Sequence, residues 1–145
     1  MYFVDRENIE QLLQFIEKNI KVLKDNGNWE GPLEKLALER VVHLIIETIL
    51  DVGNKLIDGF IMRDPGSYED IIDILLDEKV VDSEDELPLK DIVALRKMVV
   101  QNYLDINHEQ ILQALKEDLE KIEQFPNKVR HYVDHELGPI NAFKS

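Results

Sequence analysis

Arg96, Gln101 and Tyr103 place a guanidinium, an amide and a phenol on a helical run that ends near residue 104. Such groups are costly to bury on a core helix unless other groups bind them or a function uses them. At about 100° per residue, Arg96 and Tyr103 fall on one stripe two turns apart, with Gln101 beside it. Two interpretations stay open. One is an interface helix whose polar groups pair with carboxylates, and the other is a reactive groove.

The apolar spacing before this run is helical. Apolar residues three and four positions apart predict a helix over about residues 5–25, with Asp5 as its N-cap. A second helix, over about residues 33–62, is apolar around most of its circumference, so we expect it to be the most buried. Ser67 then has the setting of an N-cap for a short third helix.

The second half of the chain continues in helices. Residues 80–88 are interpreted as a loop, because two valines before an acidic cluster are too few to support a sheet. Pro88 suits the first turn of a fourth helix running to about Leu104. A further helix is expected to open at Asn107 and to be kinked or broken near Pro126. The predicted fold class is an all-α bundle of four to five helices.

Length and charge limit the functions that the chain can have. With 145 residues we expect a single domain over residues 1–145. The net charge of −13, from 17 basic and 30 acidic residues, repels phosphate backbones at long range. A nucleic-acid role would therefore need a local basic or neutral cleft, assembled by more than one chain. We expect no DNA partner.

Cysteine content and hydropathy indicate the compartment. The sequence contains no cysteine, which excludes disulfides and thiolate chemistry and fits a reducing compartment. Charges follow Met1 within four residues, unlike a signal peptide, and no uncharged apolar run approaches the roughly 18 residues of a membrane span. We expect a cytoplasmic protein without a membrane partner.

A polar stripe follows one side of the second helix at spacings of three and four. Its members are Arg40, His43, Glu47, Asp51, Asn54 and Asp58. The stripe is either a solvated seam or a counterpart for Arg96, because a carboxylate and a guanidinium can pair bidentately. His43 is the best-placed imidazole for acid–base work, although a hydrogen-bonded structural role for it stays open.

Metal chemistry has little support in the sequence. His131 and His135 are four apart on a helix, a spacing at which two imidazoles can bind one metal. The intervening Glu and the following ligand of zinc hydrolases are missing, as are the paired Glu-x-x-His motifs of di-iron bundles. We expect no metal and no cofactor.

Several motifs together resemble one family. They are Asp51-Val-Gly-Asn54, Asp58-Gly-Phe60, the Pro65-Gly-Ser-Tyr68 turn and Arg96-x4-Gln-x-Tyr103. In these the chain resembles the HepT-like branch of the HEPN superfamily, and within it the bacterial YutE-type proteins. The family motif is Arg, four residues, His, one residue, Tyr. Arg96 and Tyr103 match this motif. Gln101 stands at the position of the family His, and Lys97 stands at the position after the Arg, where the family frequently has Asn.

The resemblance implies a helical homodimer whose motif helices line a shared cleft, where RNA is cut without metal. Arg96 would stabilise charge on the phosphate. Gln101 can orient a hydroxyl but cannot exchange a proton near pH 7, so acid–base catalysis, typically about 10²- to 10⁴-fold, would need His43 or water. The family Tyr implies that Tyr103 accepts an adenylyl group from a cognate MntA-type nucleotidyltransferase, which silences the toxin.

Two other functions stay open at this point. In one, the chain is a non-catalytic helical dimer that binds a protein, a nucleotide or RNA; the −13 charge and Gln101 favour it. In the other, the cleft is only an interface, and Arg96 is fully paired with Asp51 or Asp58 and closed to solvent.

Overall fold

The computed structural model describes residues 2–138, and within them the fold is all-helical, as the sequence predicts. The segments are α1 (Arg6–Asp25), α2 (Pro32–Gly59), α3 (Tyr68–Asp77), α4 (Ser83–Arg96), α5 (His108–Ile122) and α6 (Phe125–Leu137). A π-helical turn, Lys97–Gln101, continues α4. Among the described helices, none combines the length and the apolar character that crossing a membrane requires.

Helix α2 is the centre of the bundle, as expected from its apolar circumference. It packs against α1, α3, α4 and the π turn. Its apolar side chains between Leu38 and Ile57 are mostly buried, whereas Leu33 and Leu36 at its start are exposed. All six helices contribute to one contiguous core, so the elements that carry the polar residues are fixed relative to one another.

The expected N-caps are confirmed. Asp5, Ser67 and Asn107 each accept a hydrogen bond, 3.0 Å long, from the backbone N–H three residues later. The second helix ends at Gly59, earlier than the expected residue 62, and Ile61 then adopts a positive φ of 57°. The chain therefore turns sharply into the loop before α3.

The interpretation of residues 80–88 as a loop is wrong. Helix α4 begins at Ser83, and Pro88 lies inside it rather than in its first turn. The Asp85 carboxylate accepts a hydrogen bond from the Asp82 N–H at 2.8 Å, and acidic residues fill the first turn, where the helix dipole favours them. The acidic cluster starts a helix and is not merely solvated loop charge.

The expected end of the fourth helix is also wrong. The α-helical part stops at Arg96, and the π turn ends at Gln101 with an N–H of Asn102 donating to the Lys97 carbonyl at 2.9 Å. Tyr103 lies in the following loop. Because a π turn spaces hydrogen bonds five residues apart, the α-helical stripe predicted for Arg96 and Tyr103 does not form.

The break near Pro126 is confirmed. Helix α5 ends at Ile122 and α6 begins at Phe125, with Pro126 in its first turn. Proline has no N–H to donate to the Ile122 carbonyl, so the hydrogen-bond ladder cannot continue across it. Helices α5 and α6 are thus the expected last helix in two pieces.

Candidate functional site

Arg96 is held in place by side chains from two other helices. Its Nε lies 2.5 Å from Glu47 Oε1 on α2, and its guanidinium stacks 4.4 Å from the centroid of the Tyr68 ring at the start of α3. The side chain keeps 18% of its surface exposed. Neither Nη nitrogen has a hydrogen-bond partner within residues 2–138. The guanidinium is oriented, yet its outer edge stays available to a ligand.

His43 belongs to the same polar group. Its Nε2 lies 3.9 Å from Glu47 Oε1, the oxygen that Arg96 contacts. This polar group therefore runs from α3 through α4 to α2, in the order Tyr68, Arg96, Glu47 and His43. Within residues 2–138, the polar stripe contacts Arg96 through Glu47 alone.

Three other residues of the polar stripe do not pair with Arg96. Asp51, Asn54 and Asp58 are exposed on α2, and Glu47 is the one carboxylate within residues 2–138 that pairs with Arg96. The expectation that Asp51 or Asp58 closes off Arg96 is wrong, because Glu47 lies opposite the guanidinium and the arginine remains partly open.

An open cleft of about 610 Å³ lies beside Arg96, between the start of α3 and the exposed face of α4 and the π turn. Lys90, Arg96 and Lys97 are its cations, and Gln101 also lines it. His43 does not line this cleft. A phosphate could meet two basic groups here despite the acidic net charge of the chain.

The π turn determines which side chains face the cleft. Widening the helix by one residue per turn brings residues four and five apart nearly above each other, so Lys97 and Gln101 project to one side. Such turns occur frequently at functional sites. Nothing in the local sequence marks the turn, which is why the helical wheel placed Tyr103 on the same stripe as Arg96.

Tyr103 is accessible but lies outside this cleft. It is 64% exposed in the loop before α5, and its hydroxyl has no hydrogen-bond partner within residues 2–138. The structure thus groups Arg96 and Gln101 along the cleft and leaves Tyr103 outside its lining.

A buried carboxyl group next to the cleft was missed from the sequence. Asp118 on α5 is 5% exposed and faces the charge of Asp91, which lines the cleft from α4. Burial, followed by the charges of Asp91 and Glu117, raises the pKa of Asp118 to about 6. One feature of the sequence indicates this burial. Asp118 lies three residues after Leu115 and four residues before Ile122, a spacing that places it on the apolar face of α5.

His131 and His135 line a different cleft, of about 710 Å³, along α5 and α6. Within residues 2–138, no three potential metal-ligating side chains are grouped closely enough to hold an ion. The two histidines therefore lack a further protein ligand at that place.

Comparisons with known proteins agree with this arrangement of helices. The "Putative RNase YutE" of Bacillus subtilis (strain 168) is 47% identical over 144 residues, covering 99% of this chain and 100% of that protein. A solved structure of Bacillus subtilis YutE, described as a cytosolic protein of unknown function, matches with a TM-score of 0.94 over 99% of this chain and 100% of that chain.

Two more distant solved structures share the fold. One, a toxin–antitoxin with AMP-PNP, matches at 18% identity with a TM-score of 0.78, covering 87% of this chain and 99% of that chain. The other is a tri-AMPylated Shewanella oneidensis HEPN toxin in complex with MNT antitoxin. It matches at 19% identity with a TM-score of 0.71, covering 86% of this chain and 95% of that chain.

The resemblance inferred from the motifs is confirmed by a family model. That model, described as Ribonuclease HepT-like, matches residues 6–129, a range that runs from the start of α1 into α6 and includes Arg96, Gln101 and Tyr103. With a full-length relative at 47% identity beside it, the chain belongs to the HepT-like family.

Proposed function

We propose that the chain is a metal-independent endoribonuclease of the HepT-type toxin class, which cuts RNA in a cleft completed by a second copy of the chain. The observation that carries this proposal is the state of Arg96. Glu47 and Tyr68 orient its guanidinium at the edge of an open cleft, while both Nη nitrogens stay free of partners among residues 2–138. Two parallel N–H groups match two phosphate oxygens.

The chemistry assigned to the cleft is transesterification of the RNA backbone. The 2′-oxygen attacks the phosphorus, and the bond from phosphorus to the 5′-oxygen breaks. Negative charge increases on the phosphoryl oxygens in the transition state, where the Nη groups of Arg96 stabilise it. Because Glu47 fixes the guanidinium beforehand, little reorganisation is needed when the charge develops.

Exposed apolar side chains support the homodimer. Leu33 and Leu36 at the start of α2 and Leu104 before α5 are exposed. Glu39 Oε2 lies 2.6 Å from His108 Nε2, which brings these two segments to the same end of the bundle. A second copy would cover this surface, and sedimentation at micromolar concentration tests it. A monomer would contradict the two-chain cleft.

The proposed partner is an MNT-type nucleotidyltransferase that adenylylates Tyr103. Tyr103 supports this proposal, because it is exposed and its hydroxyl has no partner in the described part of the chain, residues 2–138. An AMP group there would add negative charge near the loop after the π turn and oppose RNA binding. Incubation with such a transferase and ATP, followed by peptide mapping, should find AMP on Tyr103 and none in Tyr103→Phe. Label on the exposed Tyr2 instead would contradict it.

A non-catalytic dimer that binds a protein, a nucleotide or RNA is the second candidate. Gln101 favours it, because an amide does not transfer protons near pH 7. Its distinguishing result is RNA binding without cleavage.

The remaining proposals concern organisation and location. We propose that residues 1–145 form one HEPN-like domain, which the contiguous core of α1 to α6 supports. We propose a cytoplasmic location, supported by the absence of cysteine and by a relative described as cytosolic.

The decisive experiment compares purified wild type with Arg96→Ala and Arg40→Ala on RNA. Arg40 is an exposed arginine of the polar stripe on α2 without an ion pair within residues 2–138, so it controls for loss of one positive charge. We expect cleavage by wild type and Arg40→Ala and a loss of about 10²- to 10³-fold in Arg96→Ala, as for removal of a transition-state donor. Circular dichroism and sedimentation should show that the fold is retained. No cleavage by concentrated wild type would contradict the ribonuclease proposal.

A further inference from the structure

The three cations of the cleft differ in what already neutralises them. Lys90 Nζ lies 2.7 Å from Asp73, 3.0 Å from Glu86 and 3.7 Å from Glu69. Lys90 is therefore surrounded by carboxylates, and these hold its pKa above the usual range, with the hydrogen bond to Asp73 as the largest cause. A side chain in that setting is a poor proton donor.

Lys97 has the opposite environment. It is exposed on the π turn, lines the cleft, and has no ion-pair or hydrogen-bond partner within residues 2–138. Its ammonium is therefore free to reach a ligand, and the π turn directs it to the same side as Gln101.

Three other polar groups near the cleft cannot deliver a proton to a leaving oxygen. Arginine stays protonated in proteins, so Arg96 supplies charge and hydrogen bonds only. Gln101 carries no exchangeable acid proton near neutral pH. His43 does not line the cleft, and its Nε2 lies 3.9 Å from Glu47 Oε1, the oxygen that already binds Arg96. Of the remaining groups, the Tyr68 ring is stacked on the Arg96 guanidinium, and the Asp118 carboxyl is buried.

We propose that Lys97 is the general acid of this cleft and supplies the proton that Gln101 cannot. This inference depends on the proposed ribonuclease function. The 2′-oxygen forms a bond to phosphorus and loses its proton to water, while the bond from phosphorus to the 5′-oxygen breaks. The Lys97 ammonium gives a proton to that departing oxygen, and the resulting amine takes one back from solvent. Arg96 balances the charge on the phosphoryl oxygens throughout.

The test uses two RNA oligonucleotides that differ in one atom. In one the leaving atom is the natural 5′-oxygen, and in the other it is a bridging 5′-sulfur. A thiolate leaves without being protonated, so the sulfur substrate removes the need for a general acid. The variants are Lys97→Met and Lys97→Arg, and Lys18→Met is the matched control, because Lys18 is exposed on α1, away from the cleft.

For the oxygen substrate we expect both Lys97 variants to lose about 10²- to 10⁴-fold in kcat, the usual range for a general acid. For the sulfur substrate we expect both variants to stay within about threefold of wild type. Lys18→Met should match wild type on both. Lys97→Arg matters most, because it keeps the charge and the fold but cannot donate a proton.

The outcomes separate this inference from the function on which it depends. If Lys97→Arg cuts the oxygen substrate as fast as wild type, or if the two substrates are equally impaired, Lys97 only binds phosphate and the inference is overturned while the ribonuclease remains. If wild type cuts the sulfur substrate alone, no general acid is present, which again overturns only the inference. If wild type cuts neither substrate, both proposals fail.

Discussion

Replacing Asp118 with Asn should stabilise the fold at neutral pH, because this carboxyl is buried in an unfavourable setting. Asp118 is 5% exposed between α5 and α4, and its Oδ2 has no hydrogen-bond partner within residues 2–138. Burial is the largest cause that raises its pKa to about 6, and the negative charges of Asp91 and Glu117 follow. No cation compensates among those causes. Ionised Asp118 is thus a destabilising group.

The size of the effect follows from proton linkage. In the unfolded chain Asp118 loses its proton near its ordinary pKa of 3.8, whereas in the folded chain it does so near 6. Below about pH 3 both states are protonated and the carboxyl costs nothing. As pH rises from about 3 to 6 the unfolded state releases its proton first, so stability falls. Above pH 6 the penalty is constant at about 3 kcal/mol.

Asparagine cannot ionise, so it removes the buried charge and keeps the size of the side chain. We therefore expect Asp118→Asn to gain about 1–3 kcal/mol in the free energy of unfolding at pH 7, and this gain should shrink below about 1 kcal/mol near pH 4. Urea unfolding at several pH values between 4 and 8 measures both. Glu117→Gln removes the same charge from the neighbouring exposed residue, and it should change stability by less than about 0.5 kcal/mol.

A pH-independent difference between wild type and Asp118→Asn would refute the reasoning, since the carboxyl would then not titrate in this range. A loss of stability at pH 7 would refute it as well. That result would mean that ionised Asp118 binds a cation that outweighs its burial.

Three further predictions concern the cap, an exposed ion pair and the site. Asp85 is buried, caps α4 and pairs with Lys128, so Asp85→Asn should lower the unfolding free energy by about 2–3 kcal/mol in urea titrations. Hydrogen bonds from Arg63 and then from a backbone N–H lower the pKa of Asp70 to about 2. Asp70→Asn should therefore be less stable than wild type at neutral pH, and the gap should close as pH falls from 4 to 2 in acid titrations. Gln101→His should raise ribonuclease activity by about 10²-fold or more if an imidazole adds acid–base catalysis.

The sequence predicted those parts of the fold that depend on local patterns. Apolar spacing located the helices, and Asp5, Ser67 and Asn107 marked their starts correctly. The start of α4 was missed because an acidic cluster before a helix and an acidic cluster in a loop look alike until the Asp85 side chain bonds back to the Asp82 N–H.

The site was predictable in its residues but not in its geometry. Arg96 and Glu47 were both identified as polar positions on apolar helices, and the contact between them depends on how α2 packs against α4. Tyr68 is half exposed and stacks on Arg96, a contact that apolar spacing along the chain does not reveal. The π turn replaces the regular α-helical spacing after Arg96, so a helical wheel misplaces Tyr103 relative to Arg96.

The charge distribution limits which cations of the cleft can bind a phosphate. A chain of net charge −13 repels RNA at distances beyond a Debye length of about 8–10 Å, so attraction has to come from groups that touch the phosphate. Arg96 has one edge bound to Glu47, and Lys90 is enclosed by carboxylates, which leaves the outer edge of Arg96 and the ammonium of Lys97 as the contacts that the cleft offers. In the mechanism proposed above, Arg96 would hold the phosphodiester and Lys97 would protonate the oxygen that leaves it, without an imidazole on the motif helix.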